Sequence, residues 1–349
     1  MNSQILDQNK LPKLLGALKR DDIKFYQFYN LELAAPEYQF QEYMLNFQEG
    51  DSTTKVLNKS YYDIEIHYDP AVFPDAEKAA YMINAIAVYN NLKNEATIFT
   101  IPTGCNEEDK DILEKGVNDL YLELCEENAA YKIEGINIKV ETFTSEIDLL
   151  KRFFVYVREI NSLFLIGFNS SLFDDPYVVN RGLNFIGHDI YSYISEFGEV
   201  SKFGARTYDW PDYIKVDILS LYKPVDQGGS GLGQSLPNYK LNTVASEELG
   251  VTKLDLEDMN YEYENNIVRF LTYNLFDTLL TFKLDEKLQF LELNWMLAKY
   301  NSAPMSAAIN GRSIMYKYRN NLIYTKRNQL IRSKIFGREI FYPLEVKNE

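Results

Sequence analysis

Apolar and polar positions begin to alternate clearly at Ser60. In "YYDIEIHY" (61–68), Tyr61, Tyr62, Ile64 and Ile66 are strand formers, and "MINAIAVYNN" and "EATIFTI" follow at short spacing. Three successive strands in an antiparallel meander are expected. "EEDKDILEKGVNDLYLELCEEN" predicts an acidic helix and "INIKVETF" another strand. "SEIDLLKRFFVYVREI" predicts an amphipathic helix, with Ser145 at its N-cap and Ile147, Leu150, Phe154 and Val157 along one face. The short apolar run "LFLIGFNS" fits a buried central strand. "DPYVVNRGL" then opens a helix with Pro176 in its first turn, where a missing N–H costs little. Residues 200–240 are loop-rich. Within them "DQGGSGLGQSLPN" lacks the spacing and the strand-to-helix context of a dinucleotide loop, so a flexible surface loop is expected. "KLNTVASEELG" predicts a short helix closing at Gly250, and a long helical region runs from Glu264 to Asn301. Residues 1–55 read as mixed and partly helical, without a motif.

Composition narrows the function classes. A chain of 349 residues with 46% hydrophobic and 14% aromatic residues buries a sizeable core. A net charge of −15 argues against broad electrostatic binding of duplex nucleic acid, but not against local binding through metals and aromatic rings. Two cysteines, Cys105 and Cys125, provide neither a disulfide framework nor CxxC metal spacing, which points to a reducing, cytoplasmic compartment. No apolar run approaches a membrane span, and the first residues lack a signal-peptide core. His67 and His188, the only histidines, lack a second His or Cys at ligand spacing. Transition-metal sites and Ser/His/Asp catalysis therefore lack ingredients, and His67 is read as structural.

The carboxylates carry the chemistry. On a strand, Asp63 and Glu65 share one face. Asp174 and Asp175 stand where an apolar strand meets a helix start, and Tyr273 and Asp277 lie four residues apart, on one face of a helix. Buried acids need partners. Hard cations such as Mg²⁺ or Mn²⁺ prefer carboxylate oxygens, and two ions about 4 Å apart can stabilise both the attacking and the leaving oxygen in phosphodiester cleavage.

Taken in order, these stretches resemble the 3′→5′ exonuclease domain of family B DNA polymerases of the T-even phage type, the DEDDy branch of the DnaQ-like nucleases. "YYDIEIHYDPAVFPDAEKAAYMINAIAVYN" is similar to the first exonuclease motif, "GFNSSLFDDPYVVNR" to the second and "YNLFD" to the third; "VDILSLYK" and "YKLNTVASEELG" resemble connecting segments. The resemblance implies an α/β, RNase H-like fold with a mixed β-sheet flanked by helices. It implies two Mg²⁺ or Mn²⁺ ions on Asp63, Glu65, Asp174 and Asp277. Tyr273 would orient the attacking water, and Asn169 and Phe173 would lie near the bound 3′ end. The second motif aligns on Asn169, Phe173 and Pro176, which favours Asp174 over Asp175 as ligand and leaves Asp175 as a helix-start residue.

The expected organisation is a short N-terminal segment (1–55), an exonuclease domain (56–320) and a connector (321–349) toward a polymerase palm whose motifs are absent. The expected activity is removal of nucleoside monophosphates from single-stranded or frayed DNA 3′ ends, without polymerase activity, in the host cytoplasm if phage-encoded. The expected partner is a polymerase palm module, in cis or in trans. A late basic cluster (Arg312, Lys317, Arg319, Lys326, Arg327, Arg332, Lys334 and Arg338) is a candidate contact to DNA or to that module. The rival readings are a catalytically idle DNA-binding or scaffold subunit of a split polymerase, and a nuclease acting on RNA.

Overall fold

A computed structural model describes residues 56–69, 72, 74–103, 110–203, 207–210, 212–251, 258–301, 303, 305–310, 331–335 and 338–342. Residues 56–290 form one compact unit, and the described residues from Leu291 onward belong to a second. The expected segment 1–55, the domain boundary at 320 and most of the late basic cluster lie outside the described residues.

The three expected strands are β1 (Lys59–His67), β2 (Met82–Asn90) and β3 (Glu95–Thr100), each antiparallel to the next. Helix α1 (Lys110–Glu127) then carries the chain to β4 (Asn137–Thr142), parallel to β3. Helix α2 (Glu146–Ile160) leads to β5 (Phe164–Gly167), which pairs parallel with β1. Helix α3 (Asp174–Ile186), the short α4 (Tyr191–Ile194) and a small hairpin, β6 (Ser201–Phe203) and β7 (Thr207–Asp209), precede β8 (Ile214–Asp217), which pairs parallel with β5. The six-stranded mixed sheet runs β4-β3-β2-β1-β5-β8, so β1 is central. Helices α5 (Ile218–Tyr222), α6 (Leu241–Leu249), α7 (Met259–Asn265) and α8 (Ile267–Leu288) complete the unit. A left-handed Gln289 (φ 52°) ends α8, dividing the long helical region, and α9 (Phe290–Asn301) follows. The second unit also holds α10 (Met305–Asn310) and an antiparallel pair, β9 (Ile331–Ile335) and β10 (Arg338–Tyr342), the backbone carrying Arg332, Lys334 and Arg338 of the basic cluster.

Parity along β1 sorts its side chains between two layers. Tyr62, Ile64 and Ile66 enter the core formed with Leu149, Leu150, Phe153, Phe154 and Val157 of α2 and Tyr177 and Val178 of α3. The odd residues face α8. Tyr61 meets Phe282 edge-on with centroids 5.3 Å apart, and Lys59 Nζ reaches Asp285 Oδ2 at 2.7 Å. Tyr61 also donates to Asp285 Oδ2, at 2.7 Å. This buried triad fixes where α8 sits along β1. Ser145 occupies the N-cap of α2, as expected, but its side chain makes no capping hydrogen bond. Gly250 closes α6 in the left-handed region, φ 70°, as the sequence predicts.

Two features of residues 200–240 differ from expectation. Strand β8 lies in the sheet, although four residues are too few to show a period. The glycine-rich segment is an ordered strap. The amides of Ser230, Gly231, Leu232 and Gly233 donate to the carbonyls of Ser220, Lys223, Leu221 and Tyr222. A Cβ on Gly229 would lie 2.1 Å from the Lys223 carbonyl oxygen, and one on Gly233 2.5 Å from the Tyr222 ring. The glycines therefore serve close backbone approach to α5.

Candidate metal centre

Asp63 and Glu65 project from the α8 side of β1. Their partners across β2 are Ala87 and Ala85, so small side chains neighbour both acids in the ladder. The register shifts immediately after Glu65, where Ile66 pairs with Ile83 and Asn84 is the extra residue. Bulges of this kind often re-aim a strand beside a functional site.

Helix α8 supplies the third acid. Carboxylate oxygens of Asp63, Glu65 and Asp277 all lie within 4.8 Å of one another. Asp277 is 4% exposed, whereas Asp63 and Glu65 are half-buried. Tyr273, one turn earlier on α8, is also half-buried. Asn274, between them and fully buried, donates from Nδ2 to Asp63 Oδ2 at 2.9 Å and is 3.3 Å from the Asp63 carbonyl oxygen. It ties the helix to the strand at the acids themselves. The signal was present in "YNLFD", where Asn274 precedes Asp277 by three residues and shares its helix face.

Asp174, the first residue of α3, stands outside that group of three but beside it electrostatically. Its Oδ1 accepts a hydrogen bond from the Ile64 amide at 3.3 Å, between the two β1 acids in the chain. Its carboxyl is pushed well above the ordinary aspartate range, first by burial and then by the negative charges of Asp63 and Asp175. Asp175 is committed elsewhere. It accepts from the Tyr62 hydroxyl, and its Oδ2 pairs with Lys215 Nζ at 3.0 Å. Neighbouring acids at one helix start thus face different environments, and only Asp174 reaches the β1 backbone beside Asp63.

The second-motif loop is organised by a residue that the sequence reading passed over. Asp217, which caps α5, accepts from the Leu219 amide at 3.0 Å, the Asn169 amide at 2.9 Å, and the Ser171 amide and hydroxyl at 3.3 and 2.5 Å. Burial raises its pKa. Asn169 adopts a left-handed φ of 65°, which Asn tolerates better than most residues, and it lines a cleft beside this loop. Phe173 is half-buried, packed on the main core with its ring 5.4 Å from Tyr177. Its partly exposed ring thus remains on the second-motif loop, two residues after Ser171. His67 is half-exposed, with its Nε2 3.3 Å from Glu264 Oε1 on α7. Cys125 is a buried free thiol, and Cys105 lies outside the described residues.

The donor set fits a divalent cation. Oxygen ligands bind Mg²⁺ or Ca²⁺ at 2.0–2.6 Å, so two oxygens on one ion stand up to about 4–5 Å apart. Carboxylate oxygens mutually within 4.8 Å match that span, and all three donors are hard.

Among known proteins, the family model for the DNA polymerase family B exonuclease domain matches residues 30–244. That span includes Asp63, Glu65, Asn169, Phe173, Asp174 and Asp217, and ends before Tyr273 and Asp277. The chain is 25% identical over 249 residues to the DNA-directed DNA polymerase of Escherichia phage RB69, covering 68% of this chain and 26% of that protein. It is 25% identical over 271 residues to the DNA-directed DNA polymerase of Enterobacteria phage T4, covering 73% and 28%. The DNA polymerase catalytic subunit of Equine herpesvirus 2 is 29% identical over 213 residues, covering 57% of this chain and 20% of its own. The chain spans about a quarter of the length of the phage relatives. No helix among the described residues is long and apolar enough to cross a membrane. With the family model matching well over half of its length, over the mixed sheet whose central strand carries Asp63 and Glu65, the chain belongs to the exonuclease-domain family of family B DNA polymerases.

Proposed function

We propose that this chain is a metal-dependent 3′→5′ exodeoxyribonuclease of the proofreading type, acting on single-stranded or frayed DNA 3′ ends. The observation that carries the reading is the convergence of Asp63, Glu65 and Asp277 within 4.8 Å, beside a buried Asp174, in a chain of this family. Divalent ions held there, Mg²⁺ or Mn²⁺ and two in the full reading, would supply Lewis-acid activation of water and neutralise charge on the scissile phosphate.

The remaining steps fall to the chain's own groups. Asp63, Glu65 and Asp277 hold the cations, with Asp174 completing the set from the α3 side. Asn274 fixes the Asp63 carboxylate through its 2.9 Å hydrogen bond, so that donor is placed before substrate arrives. The Tyr273 hydroxyl, one turn from Asp277, orients the attacking water in line with the leaving 3′ oxygen. Asn169, held by Asp217, and Phe173, packed on the core, lie near the terminal nucleotides. Hydrolysis breaks the terminal P–O bond, and a nucleoside monophosphate leaves. The phage relatives are DNA polymerases, and we place this chain beside a polymerase module, in cis or in trans.

The test uses 5′-labelled single-stranded DNA and the matching RNA, each with Mg²⁺ or with EDTA. Stepwise shortening of DNA from its 3′ end that EDTA abolishes is expected. Binding without shortening would favour the idle subunit, and faster RNA degradation would replace the substrate class.

A further inference from the structure

A cleft of ≈ 590 Å³ lies beside the second-motif loop, lined by Phe168, Asn169, Leu219, Lys223, Gln227, Tyr239, Lys240 and Leu241. Its lining contrasts with the chain's net charge of −15: two lysines, two aromatic residues and two amide residues, without a carboxylate, line one concavity. Lys240 and Gln227 are exposed, and Lys223 is half-buried with its Nζ 5.9 Å from the Tyr239 ring centroid. The Tyr239 ring packs against buried Tyr222 at 6.3 Å, and Tyr239 belongs to the cluster that includes Phe168 and Leu241. The ring is thus held by packing. The glycine strap shapes one wall: hydrogen bonds from Gly229 to Pro224 and from Gly231 to Lys223 turn the chain back over α5 and fix the backbone next to Gln227.

We infer that this cleft is an anchoring subsite for the nucleic-acid strand upstream of the reacting 3′ end, with Lys223 and Lys240 on phosphates and Tyr239 against a base. The inference rests on the nuclease reading for the identity of the strand, while the cleft's own chemistry calls for an anionic ligand with a flat face. Ammonium groups beside an aromatic wall match a nucleotide, because every base has a face that stacks without sequence preference. Continuity with the reaction site comes from the loop itself. Phe168 and Asn169 line the cleft, and Asp174 ends the same loop, five residues and at most about 18 Å of backbone from Asn169. The loop that lines the cleft is thus the one that brings Asp174 against the β1 backbone between Asp63 and Glu65. The two lysines also give an acidic protein a local means of holding a polyanion.

The test compares wild type with Lys223→Gln/Lys240→Gln, each shown by thermal unfolding to be folded. Two measurements are made on DNA oligonucleotides two and eight nucleotides long. With Mg²⁺, the ratio of kcat/KM for the octamer to that for the dimer should fall at least tenfold in the double variant. With Ca²⁺ and no turnover, octamer affinity should fall and its salt slope should become shallower by about 1.4, the value for two lost phosphate contacts on a single strand. An unchanged length ratio with an unchanged salt slope would overturn the subsite. If wild type cleaves neither oligonucleotide but binds the octamer in a lysine-dependent way, the subsite stands and the nuclease reading fails. Tyr239→Leu supplies a second arm: octamer affinity should drop about tenfold, and undiminished affinity would remove the stacking contact.

Discussion

Removing one acid of the converging group should reverse its effect on stability according to whether a cation is present. The informative variant is Asp277→Asn, which keeps shape and removes one charge. Asp277 faces Asp63 and Glu65 at no more than 4.8 Å. Coulomb repulsion at that separation is about 1 kcal/mol per pair in a water-like medium and about 3 kcal/mol at the effective dielectric of a protein site. Asp277 faces two such charges, and both are half-buried, so the metal-free gain from the variant stays near the water-like end, roughly 2–3 kcal/mol. For a unit of this size that raises Tm by about 4–12 °C in EDTA. With Mg²⁺ at a hundred times its Kd, wild type gains about 2.7 kcal/mol by mass action, and the variant, lacking a ligand, gains much less. The two curves should therefore cross. The assay is thermal unfolding of both proteins in EDTA and across a Mg²⁺ titration. A variant less stable than wild type in EDTA that nevertheless keeps the full Mg²⁺ response would refute the electrostatic argument and the ligand assignment together.

Three further outcomes are expected. Tyr273→Phe keeps the ring and loses one oxygen, so kcat on single-stranded DNA should fall about 10²-fold in a protein that still unfolds cooperatively; a wild-type rate would exclude the hydroxyl from the reaction. Lys59→Met should cost about 3–5 kcal/mol in denaturant titration, because it takes the ammonium away from the buried Asp285 carboxylate, and adding Asp285→Leu should recover much of the loss; additive losses would show that the pair is not coupled. Asp174 carries a raised pKa, so the folded metal-free protein holds that proton more tightly than the unfolded chain. Its stability should fall as pH rises from about 4, the unfolded value, through the raised folded pKa. Asp174→Asn removes that slope, so an advantage over wild type should open above about pH 4 and vanish below it; parallel stability curves from pH 3 to 8 would contradict this.

The sequence made the site legible where local period and chemistry coincide. Asp63 and Glu65 could be placed on one strand face because a period of two admits no other arrangement, and Tyr273 and Asp277 on one helix face because four residues make about one turn. Motif alignment favours Asp174 over Asp175 as ligand; in the structure the two differ in environment, because Lys215, forty residues later, pairs with Asp175. What stayed hidden depends on long-range partners. Lys59 and Asp285 are 226 residues apart, and nothing local marks either as half of a buried pair. Asp217 sits on a strand of four residues, and its role is visible only once the Asn169–Ser171 turn folds against it. The glycine-rich segment suggests freedom by composition, yet those glycines are placed where a Cβ would strike Lys223 or Tyr222.

The central claim is that the acids on β1 and α8 cut DNA from its 3′ end, and quantifying released nucleoside monophosphate tests it most directly. Wild type and Asp63→Ala are incubated with a 5′-labelled single strand and Mg²⁺, and product identity and strand length are followed together. The account predicts one monophosphate per step of 3′ shortening in wild type, with at most a trace in a folded Asp63→Ala protein. Equal release by both proteins, or shortening that proceeds from the 5′ end, would contradict it.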